Sequence, residues 1–143
     1  ENARKYKADA RIEGVFMVEM AKKGIEVILG ATRDPAFGPI CMFGLGGVFV
    51  EVMKDVTFRL APMWELSAEN MIRQNKSYRI LEGVRGNPPS DVAALTRGLM
   101  KLSQLAADHP EIQELDINPL IVYPEGGGCV VADGRILLER PRR

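Results

Sequence analysis

Leu115-Asp116-Ile117-Asn118-Pro119-Leu120 and Val130-Val131-Ala132-Asp133-Gly134 are the runs from which the fold can be worked out. They flank Ile121-Val122-Tyr123-Pro124-Glu125-Gly126-Gly127-Gly128-Cys129, so two β-rich segments meet across a Pro/Gly turn, the pattern of an antiparallel hairpin. With the turn centred near Glu125-Gly126, residues whose numbers sum to about 251 face one another, which sets Asn118 opposite Asp133. The period of two puts Asp116 and Asn118 on one face. Two carboxylates and an amide oxygen then converge, a donor set suited to a hard cation. The same residues also suit a surface hairpin whose polar groups face water.

Working outward from the hairpin, Asp91 to Asp108 reads as the clearest helix, with Pro88-Pro89 ahead of it, Ser90 as its cap, and Val92, Leu95, Leu99, Leu102 and Ala106 at three-four spacing. His109-Pro110 ends it, and a histidine there favours the helix dipole without any chemistry. Ser67 caps a shorter helix through about Asn75 that buries Met71 and Ile72, and Tyr78 to Pro89 reads as a loop. Val48 to Leu60 reads as a strand with Val50, Val52, Val56, Phe58 and Leu60 on a core face and Glu51, Met53, Asp55, Thr57 and Arg59 on a charged one. Arg59 could balance those acids or clamp a phosphate.

Nearer the start, residues 1 to 10 suit the tail of a helix, Gly14 to Met20 and Ile25 to Thr32 read as strands, and Ala21-Lys22-Lys23-Gly24 as the turn between them. Glu19 and Glu26 each stand among apolar residues, and a solvated strand face accounts for either. After the turn-rich Arg33 to Pro39 comes a short buried strand, Ile40 to Phe43, and then Gly44-Leu45-Gly46-Gly47. Those glycines could form a loop whose free N–H groups wrap a phosphate oxygen, or a tight turn. The Lys-Ser/Thr ending of a Walker loop is missing.

With 143 residues and 46% hydrophobic content, the chain reads as a single domain able to build an ordinary core. Lys+Arg and Asp+Glu number 19 each, so no strong field favours nucleic acid or an acidic membrane. Cys41 and Cys129 lie far apart without a CxxC spacing and read as reduced residues, in keeping with a cytoplasmic protein. No run approaches a membrane span or a signal peptide. The expected fold is α+β, a mostly antiparallel sheet with helices packed on one face.

The motifs occur in a specific order: Val18-Glu19-Met20, Gly24-Ile25-Glu26-Val27-Ile28-Leu29-Gly30, Thr32-Arg33-Asp34-Pro35, Phe37-Gly38-Pro39, Met42-Phe43-Gly44-Leu45-Gly46-Gly47, Phe58-Arg59-Leu60-Ala61-Pro62, Leu81-Glu82-Gly83-Val84-Arg85-Gly86 and Glu114-Leu115-Asp116-Ile117-Asn118-Pro119-Leu120. In that order they resemble the ATP-grasp portion of ADP-forming acyl-CoA synthetases (acetate–CoA ligase, β subunit or β domain), relatives of succinyl-CoA synthetase, from about Gly14 to Ile136. The resemblance implies that the chain is the C-terminal part of an ATP-grasp fold. It implies that Glu19 and Met20 read adenine, that Glu26 holds the ribose, that Asn118 and Asp133 hold Mg²⁺, and that Asp116 faces a phosphohistidine. Gly44, Gly46, Gly47 and Arg59 would lie near the phosphates of ATP or ADP. The implied reaction converts acyl-CoA, ADP and phosphate to a carboxylic acid, CoA and ATP.

On that resemblance, the phosphate-carrying histidine belongs to a CoA-binding α subunit or domain, since His109 has no such motif around it. A lysine and the loop over the triphosphate would come from an N-terminal ATP-grasp lobe that this sequence lacks. The start at Glu1 without Met and the basic run Glu139-Arg140-Pro141-Arg142-Arg143 add to the expectation of a fragment. A second function class remains open, the acyl-CoA-synthetase-like regulatory domain of a protein acetyltransferase, and a third is an assembly piece without a ligand. Keeping Glu19, Glu26, Asn118 and Asp133 favours the enzyme. The chain alone is expected not to form ATP from acyl-CoA, ADP and phosphate; measurable ATP formation by the purified chain would refute the fragment reading.

Overall fold

The computed structural model describes residues 5–46, 55–84 and 86–139. Among the described residues, six strands and two helices follow in the order β1 (Ile25–Asp34), β2 (Gly38–Leu45), β3 (Val56–Leu60), α1 (Glu65–Arg73), a 3₁₀ turn (Lys76–Ile80), α2 (Val92–Asp108), β4 (Ile112–Val122), β5 (Cys129–Val131) and β6 (Gly134–Leu138). The strands form one antiparallel sheet in the order β3-β2-β1-β4-β5, with β6 also on β4. Both helices pack on one face, which matches the expected α+β layering. Among the described residues no helix is long and apolar enough to cross a membrane.

Alternation builds the core. Val27, Leu29 and Ala31 of β1, Cys41, Phe43 and Leu45 of β2, and Leu115, Leu120 and Val122 of β4 turn one way. They meet Ala68, Met71 and Ile72 of α1 and Leu95, Leu99, Leu102 and Ala106 of α2, the three-four stripe read from the sequence. Cys41 is fully buried within them, and burial pushes its thiol up to about 11, so it packs as an inert apolar group.

The hairpin keeps the expected register from Glu114 to Val122: Leu120 pairs with Val131, Ile121 with Val130, Ile117 with Gly134 and Asp116 with Arg135; it shifts by one residue only at its far end, where Ile112 pairs with Leu138. Between the two ladders the Asn118 N–H donates to the Asp133 carbonyl at 3.1 Å. Against β1, Leu29 pairs with Ile117 but Val27 with Leu120, so β4 spends one extra residue there, a bulge centred on Asn118-Pro119.

Several local expectations are corrected. Residues 11–24 form no helix or strand, and Val15, Phe16, Met17, Val18 and Met20 are exposed; a strand needs a neighbour to satisfy its backbone, and none of the described strands pairs with this segment. α1 begins at Glu65 rather than at Ser67, with an acid in its first turn. Part of the presumed loop after Tyr78 is the end of the 3₁₀ turn. The cap of α2 is Asp91, whose carboxylate accepts the Ala94 N–H at 2.8 Å, while Ser90 instead bridges to Pro124. Of the stretch read as a strand from Val48, residues 48–54, including Glu51, lie outside the described residues, as do Gly47 and Arg85.

β3 faces the opposite way from the expectation. Asp55, Thr57 and Arg59 turn toward α1, and Phe58 and Leu60 are 52% and 54% exposed on the other face. Hydrogen bonding decides the parity. Thr57 Oγ1 donates to the Met71 carbonyl at 2.9 Å, and the Asp55 carboxylate accepts the Lys76 and Ser77 N–H groups and the Ser77 hydroxyl at 3.1, 2.8 and 2.7 Å. Burying these groups is tolerable because each finds a partner at the junction of α1 and the 3₁₀ turn. Burial alone would raise the Asp55 carboxyl, but those hydrogen bonds outweigh it and hold it below its ordinary value.

Asp55→Ala is expected to lower stability by about 2–3 kcal/mol, because it orphans buried donors, seen as a lower urea midpoint with an unchanged slope. The folded carboxyl titrates below its unfolded value of about 3.9, so its contribution is full above that pH and disappears as the pH falls through the folded value. The gap between wild type and variant should therefore narrow as the pH falls below about 4.

Candidate functional site

The face of the sheet away from the helices carries the polar residues singled out from the sequence. Paired residues share a face, so three successive rows can be read across it. One runs Gly46, Glu26, Ile121, Val130. The next runs Val56, Gly44, Ile28 and then the bulge at Asn118-Pro119. The third runs Phe58, Met42, Gly30, Asp116, Arg135.

Two recesses occupy this face. A cleft of about 1040 Å³ brings together Glu19, Met20 and Glu26 with Pro119, Ile121 and Ala132. A smaller recess of about 240 Å³ lies over Gly30, Met42 and Phe58 and is edged by Glu114, Asp116 and Arg135. The Asn118–Asp133 pair stands between them in the chain, since the first recess takes Pro119 and Ala132 and the second takes Asp116 and Arg135. From Asp116 to Ile121 the strand advances about 15 Å. A third cavity, about 460 Å³ on the helix side between α2 and the hairpin, is lined mainly by apolar residues with Arg97 and Lys101 and holds none of the predicted site residues.

The structure thus gathers Glu19, Met20 and Glu26 into one cleft and sets Asn118 across from Asp133. Both of the latter are exposed, and the Asp133 carboxylate accepts the Gly134 N–H at 2.8 Å. Asp116 reaches the same face, but not by simple alternation with Asn118, because the bulge interrupts the period. Among the described residues no three His, Cys, Asp or Glu side chains cluster as a metal site. The pair offers a carboxylate and an amide, hard oxygen donors on exposed residues, and leaves most of an octahedron to water or phosphate, which fits Mg²⁺.

Arg59 is not with them. Its row continues through Cys41, Ala31 and Leu115, the buried helix face, and its guanidinium bonds to Gln74 and, at 2.7 Å, to the Phe58 carbonyl. The structure thus sets Arg59, expected near the phosphates, on the opposite face from the other predicted site residues. The reading of Gly44 and Gly46 as a loop with free N–H groups is corrected: Gly44 is a strand residue, and the Gly46 N–H donates to the Glu26 carbonyl at 2.7 Å. Their contribution is the absence of a side chain on this face. Gly30, missed in the sequence, does the same beside Asp116; its interruption of the apolar run Val27 to Ala31 was the available signal. His109 sits at the end of α2 with Nδ1 2.9 Å from Glu111 Oε1, as a helix-terminal residue should.

A family model described as the ATP-grasp domain matches residues 1–138. The β subunit of acetate–CoA ligase [ADP-forming] II from Pyrococcus furiosus is 52% identical over 140 residues, which are 97% of this chain and 59% of that protein. The 4-hydroxybutyrate–CoA ligase [ADP-forming] of Nitrosopumilus maritimus is 49% identical over 136 residues, 95% of this chain and 20% of that one. The chain therefore spans about three fifths of the first relative and a fifth of the second. Among solved structures, acetyl-coenzyme A synthetase 1 of Ca. Korarchaeum cryptofilum, in complex with coenzyme A and Mg-AMPPCP and with its phosphohistidine segment pointing towards the nucleotide-binding site, superposes with a TM-score of 0.79 at 48% identity, over 83% of this chain and 55% of that one.

A Cβ at Gly46 would stand 3.0–3.1 Å from the backbone of Glu26. Gly46→Ala should therefore push β2 from β1 at the Glu26 row and lower stability by about 1–2 kcal/mol, measured by urea unfolding, whereas an unchanged midpoint would show that the strands yield freely.

Proposed function

The chain belongs to the ATP-grasp domain family, and on that premise we propose that it is the nucleotide- and Mg²⁺-binding portion of an ADP-forming acyl-CoA synthetase. The observation that carries the reading is the order of groups along the hairpin. Glu19, Met20 and Glu26 share the larger cleft, the Asn118–Asp133 pair follows, and Asp116 edges the smaller recess beyond. A nucleotide laid along that line has its base and ribose in the larger cleft and its terminal phosphate at Asp116.

In this reading Met20 and the Glu19 segment hold adenine, and Glu26 accepts hydrogen bonds from the ribose hydroxyls. Asn118 and Asp133 would hold Mg²⁺ through their side-chain oxygens; when bound, the ion offsets charge on the moving phosphoryl group. Asp116 orients the accepting imidazole through the N–H of its second ring nitrogen. Gly30 and Gly44 keep the floor free of side chains where phosphates approach. The imidazole comes from a CoA-binding subunit or domain, and the rest of the nucleotide enclosure from an N-terminal lobe. The named ligases support this assignment and do not favour a regulatory module of a protein acetyltransferase.

The test uses the full-length protein with its CoA-binding partner. Asn118→Ala and Asp133→Ala should each weaken ATP binding in Mg²⁺ by about 10–100-fold while leaving metal-free binding unchanged, as titration calorimetry with and without the metal would read. Unchanged affinity in Mg²⁺ would refute the assignment of the pair.

A further inference from the structure

With Arg59 on the helix face, the phosphate end of the proposed site lacks the cation that sequence reading assigned to it. The structure offers another. Arg135 stands directly across from Asp116 on the open face and edges the smaller recess, whose other lining residues among those described include no cation. It is two residues beyond Asp133, about 7 Å along the strand. We infer that Arg135 is a catalytic residue of the phosphoryl-transfer step, contacting the phosphoryl group as it passes between nucleotide and histidine; this rests on the functional reading above.

Three observations support the role. The Arg135 guanidinium lies 3.5 Å from Glu114 Oε2, with the two side chains 72% and 51% exposed, and an exposed pair at that distance is weak enough to be exchanged for a phosphate. A guanidinium presents a planar fork that matches two phosphate oxygens. The opposite wall of the recess is Ile40, Met42 and Phe58, so a segment entering over Gly30 displaces water onto an apolar surface and leaves the cation in a drier setting, where its charge acts more strongly.

The step balances as follows. The lone pair of one imidazole nitrogen forms the N–P bond, and the bond from the γ-phosphorus to the bridging oxygen breaks with its electron pair leaving on ADP. The proton on the other ring nitrogen stays there, held by Asp116. Charge spreads over the three oxygens of the phosphoryl group in passage, and a forked cation beside them stabilises that arrangement more than either ground state.

The experiment measures phosphohistidine formation from radiolabelled Mg-ATP in single turnovers, together with nucleotide affinity, on the full-length protein with its CoA-binding partner. Arg135→Ala should slow transfer about 100-fold while changing ATP affinity less than about threefold. Arg135→Lys, which keeps the charge but not the fork, should recover about tenfold of the loss. Unchanged melting temperatures are expected, because the ion pair removed, that with Glu114, is exposed. Transfer within about threefold of wild type in Arg135→Ala, or a loss of affinity as large as the loss of rate, would overturn the role of Arg135 alone. A wild-type protein that formed no phosphohistidine would overturn the functional reading and this inference together.

Discussion

The constraint on which the rest of the structure depends is the double pairing of β4, held by β1 on one side and by β5 and β6 on the other. A strand paired on both edges cannot slide without breaking two ladders, and a slip of one residue would reverse its faces. Yet its apolar residues do not keep one parity: Leu115 and Ile117 point to the core before Asn118-Pro119, and Leu120 and Val122 after it. The bulge reconciles these by inserting one residue. It thereby also sets what faces the other way, Asp116 before the bulge and Pro119 and Ile121 after it. The bend in the ladder and the placement of the site are consequences of one insertion.

The helix face braces this arrangement. Asp91 accepts the Ala94 N–H at the start of α2 and the Gly128 N–H at 3.0 Å in the hairpin turn, so one carboxylate ties the helix to the tip of the hairpin. Those hydrogen bonds hold its carboxyl below its ordinary value. At the other end of α2, Arg33 of β1 donates to the carbonyls of Ala106, His109 and Ile112 at 2.7, 3.2 and 3.2 Å, neutralising the last turn. Both ends of the helix are thus fixed to the strands that carry the site on their far side. The open face needs no scaffolding of its own and can be left to ligands.

Much of this was legible in the residues, and the failures have physical causes. The hairpin register followed from the position of a Pro/Gly turn, and α2 from its apolar spacing, because both signals are local. β3 was read on the rule that apolar residues face inward, and the rule failed where Asp55 and Thr57 found buried partners on a helix that no local pattern announces. Arg59 was misplaced with it, since one parity error moves every residue of a strand. Gly14 to Met20 has strand composition, but pairing depends on a neighbour, which composition does not reveal. The proposed site residues Glu19, Glu26, Asn118 and Asp133 came from ordered motifs, whereas the proposals for Gly30 and Arg135 became visible only when rows across the sheet could be drawn.

Those rows also carry an electrostatic argument. The open face gathers Glu26, Glu114, Asp116 and Asp133, with Glu19 in the cleft beside them, against Arg135 and the lysines at 22 and 23. Such a surface repels a polyphosphate at short range, where charges are little screened. A nucleotide can settle along the hairpin only if its own charge is partly neutralised, and the neutralising group must sit where acids and phosphates meet. On the proposed reading the Asn118–Asp133 pair occupies that place, between the larger cleft and Asp116. On that reading a divalent cation strengthens binding as well as serving the chemistry, and Arg135, just beyond the pair, would let the terminal phosphate approach Asp116 closely enough for a histidine to be held in line with it.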